Sequence, residues 1–147
     1  MSSIREAEPR ELTEILALLQ ESRLPVEGVA EHLSEFLVAH DGETLLGVVG
    51  LERYEDIGLL RSLAVLPSAR ARGIGSQLVE AVVDLARRSQ VSMIYLLTET
   101  AEDFFPRFGF QKIARESVDH RLDASAELQG ACPETAVAMR KEITAVG

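Results

Sequence analysis

The stretch best suited to chemistry is rich in arginine and punctuated by glycine: Pro67-Ser68-Ala69-Arg70-Ala71-Arg72-Gly73-Ile74-Gly75. It follows an apolar, strand-like run, residues 59–66, that Pro67 stops. It precedes Leu78, Val82, Leu85 and Ala86, which recur at helical spacing from Gly75 onward. Two arginines and a run of free backbone N–H groups therefore meet at a helix N-terminus, where an anion is favoured. The glycines fall where a backbone must turn tightly or approach something closely. Spacing excludes two common anion loops. A Walker loop needs Gly-x-x-x-x-Gly-Lys-Ser/Thr, which is absent, and a dinucleotide fingerprint needs a third glycine where Leu78 stands. What remains is Arg70-x-x-Gly73-x-Gly75.

Arg61 is the second chemical landmark, because it interrupts an apolar strand. A guanidinium there is costly unless it is paired or lines a cleft. Its planar fork suits a carboxylate, phosphonate or arsonate-like group. With Ser62 beside it, on the opposite face by strand alternation, Arg61 is a substrate-binding candidate; a structural ion pair with Glu52 is the equal alternative. Metal and thiol chemistry find little support. His32, His40 and His120 lack ligand spacing, and the single cysteine, Cys132 before Pro133, reads as a small hydrophobe.

The bulk composition bounds the class. The chain has 147 residues, which suits one domain over residues 1–147. Hydrophobic content of 46% and charged content of 27% are those of a globular protein. A net charge of −9 argues against a nucleic-acid partner, which needs a basic face, although the Arg70/Arg72 turn is locally basic. One cysteine forms no internal disulfide. The N-terminus is charged too early for a signal peptide, and no apolar run approaches a membrane span of about 20 residues. The cytoplasm is the expected location, with no membrane partner.

The elements that must position these groups follow in order. Residues 3–7 read as a strand. Pro9 opens a helix whose face carries Leu12, Ile15, Leu16 and Leu19 and which ends before Pro25. An apolar loop, residues 24–29, leads to a short helix through Leu33. Residues 36–39 read as a strand, His40-Asp41-Gly42-Glu43 as a hairpin turn, and residues 44–54 as a strand that turns polar at Glu52-Arg53. Asp56-Ile57-Gly58 reads as a turn into the central strand. After the central helix, residues 91–98 read as a buried-looking strand, a parallel or near-parallel neighbour of the central one through a right-handed crossover. Residues 101–108 read as a short helix, Gly109-Phe110 as the opening of a strand, residues 119–130 as polar loop or one helical turn, and residues 134–143 as a final strand. That last strand, if exposed, could pair across a homodimer.

Strand, Arg70-x-x-Gly73-x-Gly75, helix, preceded by Leu63-Ala64-Val65-x-Pro67, resembles the acetyl-CoA pyrophosphate loop of the GNAT N-acetyltransferase superfamily. Ala101-x-x-Phe104-Phe105-x-x-Phe108-Gly109-Phe110 resembles the end of that superfamily's core. Leu51-Glu52-Arg53-Tyr54, Gly58-Leu59-Leu60-Arg61-Ser62-Leu63-Ala64-Val65, Leu96-Leu97-Thr98-x-Thr100-Ala101 and Cys132-Pro133 are similar to the arsenic-resistance N-acetyltransferase-like branch. That branch is itself similar to the acetyltransferase module of N-acetylglutamate synthase. The resemblance implies an α/β (α+β) fold: a mixed, mainly antiparallel sheet of six or seven strands flanked by helices and splayed at the central strand.

It also implies a chemistry. Acetyl-CoA is the co-substrate and no metal is needed. The pantetheine arm would lie along Leu63, Ala64 and Val65, and the pyrophosphate would take N–H groups from Arg70, Ala71, Arg72, Gly73, Ile74 and Gly75. Phe105 joins this cofactor-binding set. It stands where many GNAT enzymes place the tyrosine that protonates the leaving thiolate, so either another donor serves or coenzyme A leaves as thiolate, its thiol pKa being only about 8.5. Tyr54 and Tyr95 are the only tyrosines, and Tyr95 reads as core. Glu52, where an apolar strand turns polar, is the candidate general base acting through a water; pairing with Arg53 or Arg61 is its alternative, and Glu99 is a lesser candidate base. The expected function is direct N-acetylation, in a ternary complex, of a small amine: an amino acid or an amino-acid-like toxic compound, arsenic-containing ones included. N-acetylation of a metabolite such as glutamate and a non-catalytic acetyl-CoA-binding sensor are the rivals.

Overall fold

The computed structural model describes residues 3–133 and 135–144, with residue 131 by its backbone alone. Seven strands form one sheet in the order β1-β2-β3-β4-β5-β7-β6. They are β1 (Ser3–Glu6), β2 (Phe36–Asp41), β3 (Thr44–Tyr54), β4 (Ile57–Val65), β5 (Met93–Thr98), β6 (Gln111–Ile113) and β7 (Val137–Glu142). All neighbours are antiparallel except β4 and β5. The expected mixed sheet, mainly antiparallel and flanked by helices, is the one observed.

Helices cover both faces. The amphipathic helix α3 (Ile74–Arg88) buries Ile74, Leu78, Val79, Val82, Val83 and Ala86 against β2, β3 and β4. On the other face α1 (Leu12–Glu21) and the single turn α2 (Val29–His32) pack Ile15, Leu19 and Val29 against Phe36, Val38 and Val48. This double cover explains why β3 is apolar on both sides from Leu45 to Leu51.

Two departures from regular pairing shape the centre. Parallel pairing of β4 with β5 runs from Ile57↔Met93 to Leu59↔Tyr95. Beyond it, β4 continues to Val65 and β5 to Thr98 without pairing with each other, so the sheet opens between them. The second departure is a β-bulge. Val48 faces Ala64 and Gly50 faces Arg61, so Val49 alone opposes Ser62 and Leu63. Ser62 takes up the extra length with φ 62°, a left-handed conformation inside a strand.

Several element boundaries differ from the sequence expectations, each for a local reason. Ile57 and Gly58 belong to β4, and the turn before it is Glu55-Asp56, with Glu55 at φ 60°. His40 and Asp41 extend β2, leaving Gly42-Glu43 as the hairpin turn. Residues 102–104 are turns, and only Phe105–Phe108 is helical, a 3-10 turn with Pro106 near its start and Gly109 ending it at φ 91°. The next strand starts at Gln111 rather than Gly109. Residues 119–130 hold two short helical turns, a 3-10 turn His120–Ala124 and a π-type turn beginning at Glu127. Glu134, where the last strand was expected to begin, lies outside the described residues. That strand, β7, is inserted between β5 and β6, so its two sides are already paired. It offers no edge for a dimer; the sheet's edges are β1 and β6.

Candidate active site

The anion loop takes the form its spacing demands. Gly73 caps α3 at φ 77°, a conformation in which any other L-residue is strained, and Ala71 precedes it at φ 69°. The first helical hydrogen bond is Gln77 N–H to Gly73 C=O at 3.1 Å, so the N–H groups of Ile74, Gly75 and Ser76 precede it. Arg70 and Arg72 are exposed on the loop, and Arg70 Nε donates to the Val65 carbonyl at 3.3 Å. A Cβ on Gly75 would meet only ordinary contacts, Phe104 at 3.7 Å and Val65 at 3.9 Å. Packing within the chain therefore does not require glycine there, and the missing side chain leaves the loop surface open to close approach. The loop fits a pyrophosphate.

Where β4 and β5 diverge, two adjoining cavities share Leu24, Pro25, Leu97, Thr98, Thr100 and Cys132. The inner one, about 110 Å³, touches Arg61, Ser62 and Leu63 of β4, and also Phe105 and Glu127. The outer one, about 550 Å³, touches Arg23, Glu27 and Glu99. The structure thus brings Arg61, Ser62, Leu63 and Phe105 together at one cleft, with Ala64 and Val65 leading on to residues 70–75.

Arg61 is only 2% exposed and is the hub of the site. Nη1 donates to Glu52 Oε2 at 2.7 Å and to the Glu27 carbonyl at 2.6 Å. Nη2 donates to the Pro25 carbonyl at 3.2 Å, Nε donates to Ser62 Oγ at 2.9 Å, and Nε lies 3.4 Å from Glu127 Oε2. Ser62 was expected on the opposite face from Arg61. Its left-handed φ cancels the strand's alternation and turns the hydroxyl onto the guanidinium. Gly28, at φ 83°, closes over this hub: a Cβ there would stand 3.1 Å from Arg61 Nη1.

Glu52 was expected at the cleft. The structure instead puts it behind Arg61, 1% exposed, lining neither cavity. Its Oε1 accepts the Tyr54 hydroxyl at 2.6 Å and lies 3.5 Å from His32 Nε2. Burial pushes the carboxyl up, but hydrogen bonds from Tyr54, Arg61 and Ser125 and the charge of His32 outweigh it and hold Glu52 below its ordinary range. Glu127 has the opposite balance. Burial pushes it up to about 7; Arg61 draws it down, and the charge of Glu52 opposes Arg61.

Phe105 is buried, stacked edge-on to Phe104 and Phe110, and carries no hydroxyl to the cleft. Tyr95 is core. Sequence reasoning missed Glu127, which lies in a stretch with no apolar period, and Gly28, whose positive φ has no signature beyond the glycine itself. Among the described residues no cluster of metal-ligating side chains occurs, and no helix is long and apolar enough to cross a membrane.

Known proteins share this architecture. A family model described as an acetyltransferase (GNAT) domain matches residues 32–112. An amino-acid acetyltransferase of Neisseria meningitidis serogroup A is 31% identical over 126 residues, covering 79% of this chain and 29% of that protein. This chain thus spans less than a third of that relative's length. The uncharacterized protein YwlB of Bacillus subtilis is 32% identical over 130 residues, covering 85% of this chain and 86% of YwlB. The N-acetylglutamate synthase of Neisseria gonorrhoeae, solved with coenzyme A and N-acetyl-glutamate, has the same fold with a TM-score of 0.83. Its identity is 24%, and the match covers 98% of this chain and 35% of that one. The opened sheet, the loop capping α3 and a family match over more than half the sequence agree: this chain belongs to the GNAT acetyltransferase family.

Proposed function

We propose that the protein transfers the acetyl group of acetyl-CoA directly to the amine of an amino acid or an amino-acid-like compound. The observation that carries this reading is the opening of β4 from β5 past Leu59 and Tyr95, directly upstream of the N–H groups that cap α3. The unpaired side of β4 at Leu63, Ala64 and Val65 offers backbone groups to a pantetheine arm. The loop at Ala71, Arg72, Gly73, Ile74 and Gly75 offers N–H groups, and Arg70 and Arg72 offer two guanidiniums, to a pyrophosphate, each helix-terminal contact adding about 0.3–1 kcal/mol. Bound there, acetyl-CoA supplies an activated thioester carbonyl. A backbone N–H of β4 would meet the developing oxyanion, a donor worth about 2.7–4 kcal/mol of barrier in comparable sites.

The amino-acid class is supported by the outer cavity, where Arg23, Glu27 and Glu99 offer both signs of charge to a zwitterion, and by the relatives that act on amino acids. Toxic amino-acid analogues, arsenic-containing ones included, fall within this class; glutamate is the metabolite rival. Arg61 and Ser62 line the substrate side of the cleft, with Glu52 fixing the guanidinium. If Glu52 itself took the amine's proton, as its sequence position suggests, Glu52→Gln would abolish the acid limb of the pH profile. One observation favours the sensor reading: Phe105, without a hydroxyl, stands where a proton donor to the thiolate would be.

Mass spectrometry of a mixture of free amino acids and phosphinic or arsenic-containing analogues, incubated with the protein and acetyl-CoA, tests the proposal. An N-acetylated product of at least one acceptor is expected. No acetylated product, from protein that still binds acetyl-CoA, would overturn catalysis in favour of the sensor.

A further inference from the structure

We propose that Glu127 is the general base of this transfer, its carboxylate taking the proton of the acceptor's ammonium group at the inner end of the cleft. The inference rests on the acetyltransferase reading above and adds to it the residue that makes the amine nucleophilic.

Two buried carboxylates flank one guanidinium, and their surroundings differ in ways that divide their work. Glu52 contacts Arg61 at 2.7 Å, accepts the Tyr54 hydroxyl and faces His32, and lies behind Arg61 as seen from the cleft. Its oxygens are taken up by these contacts, and it lines neither cavity. Glu127 is 3% exposed, yet its residue forms part of the inner cavity wall together with Ser62 and Leu63. Its approach to Arg61 is looser, 3.4 Å to Nε, a nitrogen whose proton already goes to Ser62 Oγ at 2.9 Å. Cys132, also on the cavity wall, is a further polar neighbour, hydrogen-bonded to Glu127. Burial, with the Glu127 charge beside it, pushes that thiol up to about 12, so it stays protonated and donates at neutral pH.

The titratable groups around Glu127 come from four places. The charges are Arg61 on β4, Glu52 on β3 and Glu27 in the loop before α2; the fourth group is the neutral Cys132 thiol beyond the π-type turn that Glu127 opens. Burial dominates this balance and raises the carboxyl to about 7, near the proton affinity that makes a general base effective at neutral pH. Two interacting carboxylates whose proton affinities are driven apart mark an acid–base site.

The proton balance closes. The acceptor enters as an ammonium and gives one proton to a Glu127 oxygen. The freed lone pair forms the C–N bond as the C–S bond breaks, and the electron pair leaves on sulfur. The second amine proton goes to the thiolate, and Glu127 returns its own to solvent through the outer cavity.

The test is the pH dependence of kcat/KM for an acetylated amino acid, in wild type, Glu127→Gln and Glu127→Asp. Acetyl-CoA binding, followed by thermal shift, confirms that each variant is folded. The wild type is expected to rise with pH and to break near the raised proton affinity of Glu127, about 7. Glu127→Gln is expected to lose about a hundredfold or more at neutral pH. It should also lose the break, its rate climbing with the free-amine fraction to the acceptor's own pKa. Glu127→Asp, which keeps a carboxylate, should retain a break at a reduced rate. Glu127→Gln turnover within about threefold of wild type, with the break intact, would overturn the assignment while leaving the acetyltransferase standing. A wild type silent with every acceptor would overturn the acetyltransferase reading and the base with it.

Discussion

At the scale of single residues, Arg61 holds the site together. A buried guanidinium between two buried carboxylates is stable only as a set, because removing one partner strands the others in a low dielectric. Arg61→Met leaves the buried Glu52 and Glu127 without the guanidinium that both contact. The expected cost is about 3–5 kcal/mol, a fall in Tm on the order of 10 °C that differential scanning calorimetry would register. Glu52→Gln separates positioning from base catalysis. Turnover should fall at least about tenfold with acetyl-CoA affinity unchanged, yet the break in the pH profile should persist, since that break belongs to Glu127. Arg61 was legible because an arginine in an apolar strand must be paired or functional. Glu127 was not, because its burial comes from the packing of residues 119–133 onto the sheet, a long-range outcome with no local period. Ser62 misled for a related reason: alternation assigns faces only while φ stays extended, and the bulge breaks that condition at one residue.

At the scale of elements, the loop before α3 and the N-terminal cap make separate predictions. Gly75 has room for a methyl group, and alanine favours a helix over glycine by about 0.8–1.0 kcal/mol. Gly75→Ala should therefore leave the free protein as stable or slightly more so, while weakening acetyl-CoA binding several-fold; equal affinity by calorimetric titration would remove this position from the pyrophosphate cradle. At the other end of the chain Glu11 ties β1 to α1. Its carboxylate takes Arg5 Nη1 at 2.7 Å and Nη2 at 2.8 Å and the Glu8 N–H at 2.9 Å. The hydrogen bonds from Arg5, against the opposing effect of burial, hold Glu11 down at about 2 rather than 4.5. A depressed carboxyl stabilises the fold above its unfolded value, so this contribution is complete above about pH 4.5 and is lost as the pH falls towards about 2. Glu11→Gln should flatten that acid arm in urea melts at successive pH values. The elements themselves were largely legible, since apolar period and turn residues mark β3, β4, α3 and β5. Boundaries slipped where a residue with positive φ other than glycine, such as Glu55, carried a turn.

At the scale of the whole molecule, the sheet is built to be incomplete. β4 and β5 pair for only three positions and then separate. Helix α3 and the α1–α2 layer close the two faces without covering the opening. A ligand that bridges the opening binds the folded state alone and stabilises it by mass action. At a hundred times its Kd, acetyl-CoA should add about 2.7 kcal/mol, raising Tm by roughly 5–10 °C; no shift would mean that the opening is not its site. The splay was foreseeable only through resemblance, because the residues that line it, Leu60 to Val65 and Leu96 to Thr98, read as ordinary strand. The order of the last two strands was not legible at all. Placing β7 between β5 and β6 depends on tertiary pairing that no local pattern encodes.

The central claim is that this cleft acetylates a free amino acid. Its most direct test is the initial rate of thiol release from acetyl-CoA, measured with glutamate, the other amino acids and their phosphinic and arsenic-containing analogues. The account predicts release well above the acceptor-free background with at least one of them. Background release with every acceptor, from protein whose Tm still rises with acetyl-CoA, would contradict it.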